Sequence, residues 1–163
     1  YWNSDSTRMT AANHSYYLRN CYLENNLTRG TMELAGRTLK LSDVTIPIYN
    51  LATREDHIAP ARSVFVGSGH FGGEVEYVMA GSGHIAGVVN PPSSGKYQYW
   101  TGGKPQGEFE TWVAKAKEHP GSWWPHWQAW IERQDKRRVA ARKVGASTPV
   151  LCDAPGEYVR VRV

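Results

Sequence analysis

The sequence predicts an α/β domain with a parallel sheet, and three observations carry that prediction. Two apolar runs, residues 44–52 and 74–80, have the length and residue types of buried strands. A short helical segment lies between them, and strand, helix and strand in that order build a parallel pair. Each run is followed by a polar or glycine-rich turn, Thr53-Arg54-Glu55-Asp56-His57 after the first and Gly81-Ser82-Gly83-His84 after the second. Parallel strands end on one edge of their sheet, so these two turns are expected side by side.

The remaining elements follow in chain order. Residues 11–27 carry a helical pattern with Tyr16, Tyr17, Leu23 and Leu27 among polar residues; Thr10 or Asn13 is available as a cap, and Gly30 ends the helix. Residues 31–43 read as a connector with a small hairpin around Gly36. In the first apolar run, Pro47 belongs at the strand start or at an unpaired position. Residues 59–65 form a short helix with Pro60 in its first turn, where a missing N–H does no harm, and Gly72-Gly73 closes the connection. Beyond Asn90-Pro91-Pro92 a loop leads to a helix near residues 108–118, stopped by Pro120-Gly121. Ser122 then caps a second helix running toward Lys143, with Trp123, Trp127, Trp130 and Ile131 on one face. A stripe at that spacing reads first as a helix docked on its own domain. The last residues, 158–163, alternate as a half-exposed strand or extended tail.

Composition sets outer bounds. With 40% hydrophobic and 21% charged residues in 163, the chain is globular and long enough to bury a core. Seven Trp and nine Tyr point to aromatic surfaces facing an apolar partner or substrate, beside ordinary core filling. The net charge of +4 is spread along the chain apart from Arg133 to Lys143, read as a solvated helix face, so nucleic acid is not an expected partner. No apolar run approaches the ~20 residues of a membrane span, and a chain opening on Tyr1 without an initiator Met reads as the C-terminal piece of a longer soluble protein. Cys21 and Cys152 make neither a disulfide framework nor a metal pair and fit reduced thiols of a cytoplasmic protein.

The chemistry concentrates at the two turns. An acid after one strand and a histidine after the next supply the last two members of a nucleophile–acid–histidine triad in α/β-hydrolase order. Asp56 and His84 are 28 residues apart, room for one helix and one strand. A histidine acting as base needs a carboxylate on its other nitrogen to hold the tautomer and stabilise the charge it gains. Glu55 is expected on the opposite side of the strand end, and His57 lines the same region as a possible substrate contact. His14, His70, His119 and His126 have no zinc-like spacing, so no metal is expected. Neither cysteine suits the nucleophile: Cys21 lacks the flanking glycines of a sharp elbow, and Cys152 follows the histidine.

The strings YWNSDSTRM, YLRNCYLENNL, REDHIAP, GSGHIAGVVNPP and GSWWPHW resemble, in order, the C-terminal region of class I poly(3-hydroxyalkanoate) synthases, and APGEYVRVRV resembles that family's end. The resemblance implies the C-terminal portion of an α/β-hydrolase fold preceded by part of a lid region. Its divisions are residues 1–43 as lid end and connector, 44–145 as core with the Trp-rich helix, and 146–163 as tail. It implies a Cys–Asp–His acyltransferase that polymerises (R)-3-hydroxyacyl-CoA and releases CoA, with Asp56 and His84 in the triad. The family's Gly-x-Cys-x-Gly elbow is missing here, which leaves the isolated chain without a nucleophile. Trp2, Asn3, Asp5 and Ile85 are candidate substrate-side residues. CoA thioester is substrate rather than cofactor, and the implied partners are the growing polyester, a second copy in a homodimer and the granule surface, in the cytoplasm. Two alternatives stand beside this: an esterase or depolymerase with an upstream serine, and a non-catalytic binding or assembly module.

Overall fold

The computed structural model describes residue 6 and residues 8–161. Its centre is a four-stranded mixed sheet in the order β3-β4-β5-β6. Strand β3 (Ile48–Thr53) runs parallel to β4 (Val75–Ala80), in register from Ile48 opposite Val75 to Thr53 opposite Ala80. Helix α3 (Ala61–Ser68) makes the crossover. The expected strand–helix–strand unit is therefore present, and the chain is of the α/β class. Strands β5 (Gln98–Thr101) and β6 (Lys117–Pro120) extend the sheet antiparallel beyond β4.

Alternation along the strands assigns the two faces. Asn50 and Tyr77, paired across β3 and β4, face α3: Asn50 donates to Ser68 Oγ at 2.8 Å, and the Tyr77 hydroxyl donates to Ala61 O at 2.9 Å. Here Ala52, Ala61, Phe65, Tyr77, Met79, Trp100 and Trp112 form the core, with α4 (Phe109–Lys115) supplying Trp112. Phe65 meets Tyr77 and Phe109 edge-on at 5.3 and 5.5 Å, and burying a side chain of that size contributes about 2–3 kcal/mol. The neighbouring pair, Tyr49 and Glu76, points the other way. That face is met by α5 (Trp124–Gln134) and the residue before it, where Trp123 stacks on Tyr49 at 6.1 Å and Trp130 meets it edge-on at 5.6 Å. His126 joins Tyr49 Oη at 2.9 Å and Glu76 at 3.2 Å. The aromatic stripe thus docks its helix on its own sheet.

Several boundaries differ from expectation. The first helical stretch is three pieces: α1 (Ala11–Tyr17), a π-helical turn (Leu18–Leu23) and α2 (Asn26–Arg29). Asparagine amides compete with the backbone here: Asn20 donates to Tyr16 O, Asn26 donates to Asn20 and Glu24, and Asn25 is left-handed at φ 51°. Thr10 is the cap, accepting from the Asn13 N–H. The hairpin is present as β1 (Met32–Leu34) and β2 (Arg37–Leu39), turning through Ala35 and Gly36 at positive φ. Strand β3 starts at Ile48 rather than Val44, directly after Pro47, which has no N–H for a ladder. Pro60 precedes α3 as its cap position instead of lying in its first turn.

The larger corrections lie after residue 95. The helix expected over 108–118 stops at Lys115, and Lys117–Pro120 pairs with β5 as a strand. A strand written Lys-Glu-His-Pro is an edge strand in composition, and cross-strand partners hold it: Tyr99 stacks on His119 at 4.8 Å, Thr101 meets His119 at 2.9 Å, and Trp100 donates to Glu118 at 3.1 Å. Helix α5 ends at Gln134, so Arg133 is in its last turn and the basic residues from Lys136 to Lys143 lie beyond it. Residues from Glu132 onward form a second compact unit. Within it Asp135 accepts from the Arg137 N–H and from its guanidinium, and Tyr158–Arg160 is a 3-10 turn instead of a strand.

Candidate active site

Strand β3 ends in Thr53, and the chain then turns under hydrogen bonds to the neighbouring strand end: Arg54 N–H donates to Ala80 O at 2.8 Å, and Glu55 N–H to Ser82 O at 3.1 Å. Asp56 follows, and its carboxylate is fully engaged. Its Oδ1 accepts from the Ile58 and Ala59 N–H groups at 2.8 and 2.9 Å, as an aspartate at a turn does when it satisfies amides two and three residues on. Its Oδ2 accepts from the Thr53 hydroxyl at 3.2 Å and from His84 Nδ1 at 2.8 Å. The Ala59 amide foremost, then His84, the Ile58 amide and Thr53, hold the carboxyl well below the usual carboxylate range against the opposing effect of burial.

An ionised carboxylate only accepts, so His84 Nδ1 carries the proton and a neutral ring leaves Nε2 unprotonated. Exposure divides the roles: the Asp56 side chain is 7% exposed and the His84 ring 45%. The carboxylate is shielded while the imidazole is accessible to an incoming group. In the turn before His84, Ser82 adopts φ 71°, a left-handed conformation that costs about 1–3 kcal/mol outside glycine. Gly87 lies so close to the strand ends that a Cβ there would meet Gly81 O at 2.5 Å and Thr53 Cγ2 at 2.6 Å.

The structure brings Asp56 and His84 together and does not add the other candidates to the pair. His57 is exposed, and Glu55 is exposed with its backbone, rather than its side chain, in the turn. Ile85 is 60% exposed beside His84 and shares its loop with the exposed Val88 and Val89. Trp2, Asn3 and Asp5 lie outside the described residues. Two groups of contributors went unrecognised in the sequence. Thr53 is one, although Thr-x-x-Asp at a strand end was readable as a local side-chain contact; the indoles of Trp123 and Trp124, which bond the histidine loop, left no local signal.

A cleft of about 510 Å³ has Asp56 in its lining and is walled by Pro60, Ala61, Met79, Phe109 and Val113. Its rim carries Arg54, whose guanidinium sits 5.0 Å over Trp100, and the Arg62–Glu110 ion pair. Among the described residues no three His, Cys, Asp or Glu side chains converge as metal ligands. No described helix is long and apolar enough to cross a membrane.

No family model matches the chain. Curated proteins do. Over 99% of this chain it is 71% identical to the poly(3-hydroxyalkanoate) polymerase subunit PhaC of Rhizobium meliloti (strain 1021), covering 26% of that protein. It is 61% identical to the poly(3-hydroxyalkanoate) polymerase of Methylorubrum extorquens and 36% identical to the PhaC subunit of Cupriavidus necator, again over 99% of this chain and 27% and 28% of theirs. The chain thus spans about a quarter of the length of these relatives. Along essentially its whole length, then, the chain is similar in sequence to about a quarter of the length of these poly(3-hydroxyalkanoate) polymerases.

Proposed function

We propose that this chain is the C-terminal part of the catalytic domain of a polyhydroxyalkanoate synthase, an acyltransferase on an α/β-hydrolase core. It supplies the aspartate and histidine of a Cys–Asp–His triad, and the cysteine comes from polypeptide that this quarter-length segment does not span. The observation that carries the reading is the 2.8 Å contact between Asp56 and a half-exposed His84 at the ends of adjacent parallel strands.

In this reading His84 Nε2 takes the proton of the cysteine thiol, and the imidazolium is stabilised by Asp56. The thiolate attacks the thioester carbonyl of an (R)-3-hydroxyacyl-CoA; the carbon–sulfur bond to CoA breaks, and CoA leaves with the proton from His84. The 3-hydroxyl of another unit then gives its proton to His84 as its oxygen attacks the acyl-enzyme, forming the ester and releasing the cysteine sulfur. Ile85, Val88 and Val89 offer an apolar margin beside the imidazole that suits an aliphatic polyester. CoA thioester is substrate, and no cofactor enters the cycle. Residues up to the first hairpin belong to a lid, and the assembled enzyme is a cytoplasmic homodimer at the granule surface.

The test is CoA release from (R)-3-hydroxybutyryl-CoA by the full-length protein containing this sequence. His84→Ala and Asp56→Asn each remove most turnover while the circular dichroism spectrum is retained, and the isolated chain releases none. Near-normal turnover in either variant removes that residue from the mechanism.

A further inference from the structure

The Trp-rich segment does more than cover the sheet, because two of its indoles reach the loop that carries His84. After β4 the chain coils: Gly87 N–H donates to Gly83 O at 2.9 Å, and Val88 and Val89 N–H groups donate to Ile85 O at 3.1 and 2.8 Å. A coil this short leaves its last carbonyls without the helical partners that a further turn would supply. Gly87 O accepts from Trp123 Nε1 at 3.1 Å, and Val88 O accepts from Trp124 Nε1 at 3.0 Å as well as from the Asn90 N–H at 3.1 Å. Both donors lie 36 residues further along the chain than their acceptors.

The indoles are themselves held. Trp123 stacks on Tyr49 of β3 and meets Trp124 and Trp127 at ring distances of 6.5 and 6.0 Å. The Trp124 N–H donates to Ser122 Oγ at 3.1 Å, which fixes the backbone where α5 begins. The loop is also backed by Thr53, whose Cγ2 lies where a Gly87 Cβ would clash. The loop is thereby held by the end of β3 and by two ring N–H groups.

We propose that Trp123 and Trp124 are positioning residues for His84, their indole N–H groups clamping the loop so that the imidazole keeps its contact with Asp56. The clamp is a property of this chain; its effect on turnover rests on the acid–base roles given to Asp56 and His84.

Proton NMR of this chain tests it without any substrate. In the unaltered protein the Nε1 protons of Trp123 and Trp124 exchange with solvent at least about tenfold more slowly than that of the exposed Trp127, as hydrogen-bonded donors should. In a Trp123→Phe/Trp124→Phe double variant the rings remain but the donors are lost. Amides of residues 87–90 then exchange about tenfold faster, and the low-field Nδ1 proton of His84 broadens or disappears, while β4 amides keep their protection. Trp124→Phe alone gives the same changes at smaller amplitude and serves if the double variant does not fold. The proposal is overturned if both indole protons exchange as fast as that of Trp127. It is equally overturned if a folded variant keeps the loop exchange and the His84 proton unchanged. In the full-length protein the double variant lowers kcat with little change in KM. If His84→Ala leaves turnover intact while the NMR results hold, the acid–base reading fails and the clamp stands.

Discussion

Asp56 and His84 meet at 2.8 Å, but they are held there in opposite ways. Besides His84, every partner of Asp56 lies within three residues of it: Thr53 before, Ile58 and Ala59 after. The loop of His84 depends on distant chain, with Thr53 close against it and Trp123 and Trp124 bonded to it. A local turn of this kind forms wherever the strand end is in place, because its hydrogen bonds close over a few residues. A loop clamped from 36 residues away exists only after α5 has packed on the sheet. The acid is therefore the robust half of the pair and the histidine the half most open to disruption.

The strongest way to break this comparison is Gly87→Val. Its side chain has no room between Gly81 O and Thr53 Cγ2, and overpacking of that kind costs about 1–3 kcal/mol. A lowered urea midpoint and a lost His84 Nδ1 proton are expected, with the Ile58 and Ala59 amides still protected. If those amides lose protection too, the two halves are not independent.

Thr53→Val probes the one residue that both halves share. It keeps the methyl that backs the loop and removes the hydroxyl that donates to Asp56 Oδ2. A drop in turnover of roughly 2- to 10-fold is expected in the full-length protein, with Thr53→Ser restoring most of it and amide exchange at 87–90 unchanged. Faster loop exchange would show that the hydroxyl, and not only the methyl, supports the histidine side.

A third prediction concerns acid. The Asp56 carboxyl lies below its unfolded value of about 3.9, so its contribution to stability is complete above that pH and is lost as pH falls toward its lower folded value. Urea midpoints of the unaltered chain and of Asp56→Asn should differ most above about pH 5 and converge on acidification. A gap that stays constant down to pH ~2.5 contradicts the ionised, locally held carboxylate.

The smallest effect is expected at Arg137, whose guanidinium pairs with Asp135 only two residues away on an exposed surface. Arg137→Ala should leave the urea midpoint unchanged within error, since exposed pairs gain little in water. A clear loss would mean that locality alone stabilises a charged contact, burial aside.

Much of the site was legible before any coordinates. The parallel pair β3 and β4, the crossover helix and the shared edge carrying Asp56 and His84 follow from two apolar runs and the turns behind them. The antiparallel β5–β6 pair is not legible although Gln98-Tyr99-Trp100-Thr101 is rich in strand formers, because its partner, Lys-Glu-His-Pro, has no apolar period. Its pairing depends on Tyr99 over His119 and Trp100 to Glu118, contacts that no window of sequence contains. The overlong helix after Ser122 failed for the complementary reason: good helix formers continue past Gln134, but propensity by itself is a weak signal and the helix ends there.

What the sequence determined by itself is the order and type of the elements that bring an acid and a histidine to one sheet edge, together with the turn that holds the acid. Both rest on short-range periodicity and on hydrogen bonds that close within a few residues. Only the tertiary structure decided which face α5 covers, and that the indoles of Trp124 and of Trp123 just before it hold the loop of His84. A ring N–H carries no information about its acceptor until packing has selected the side chain's surroundings.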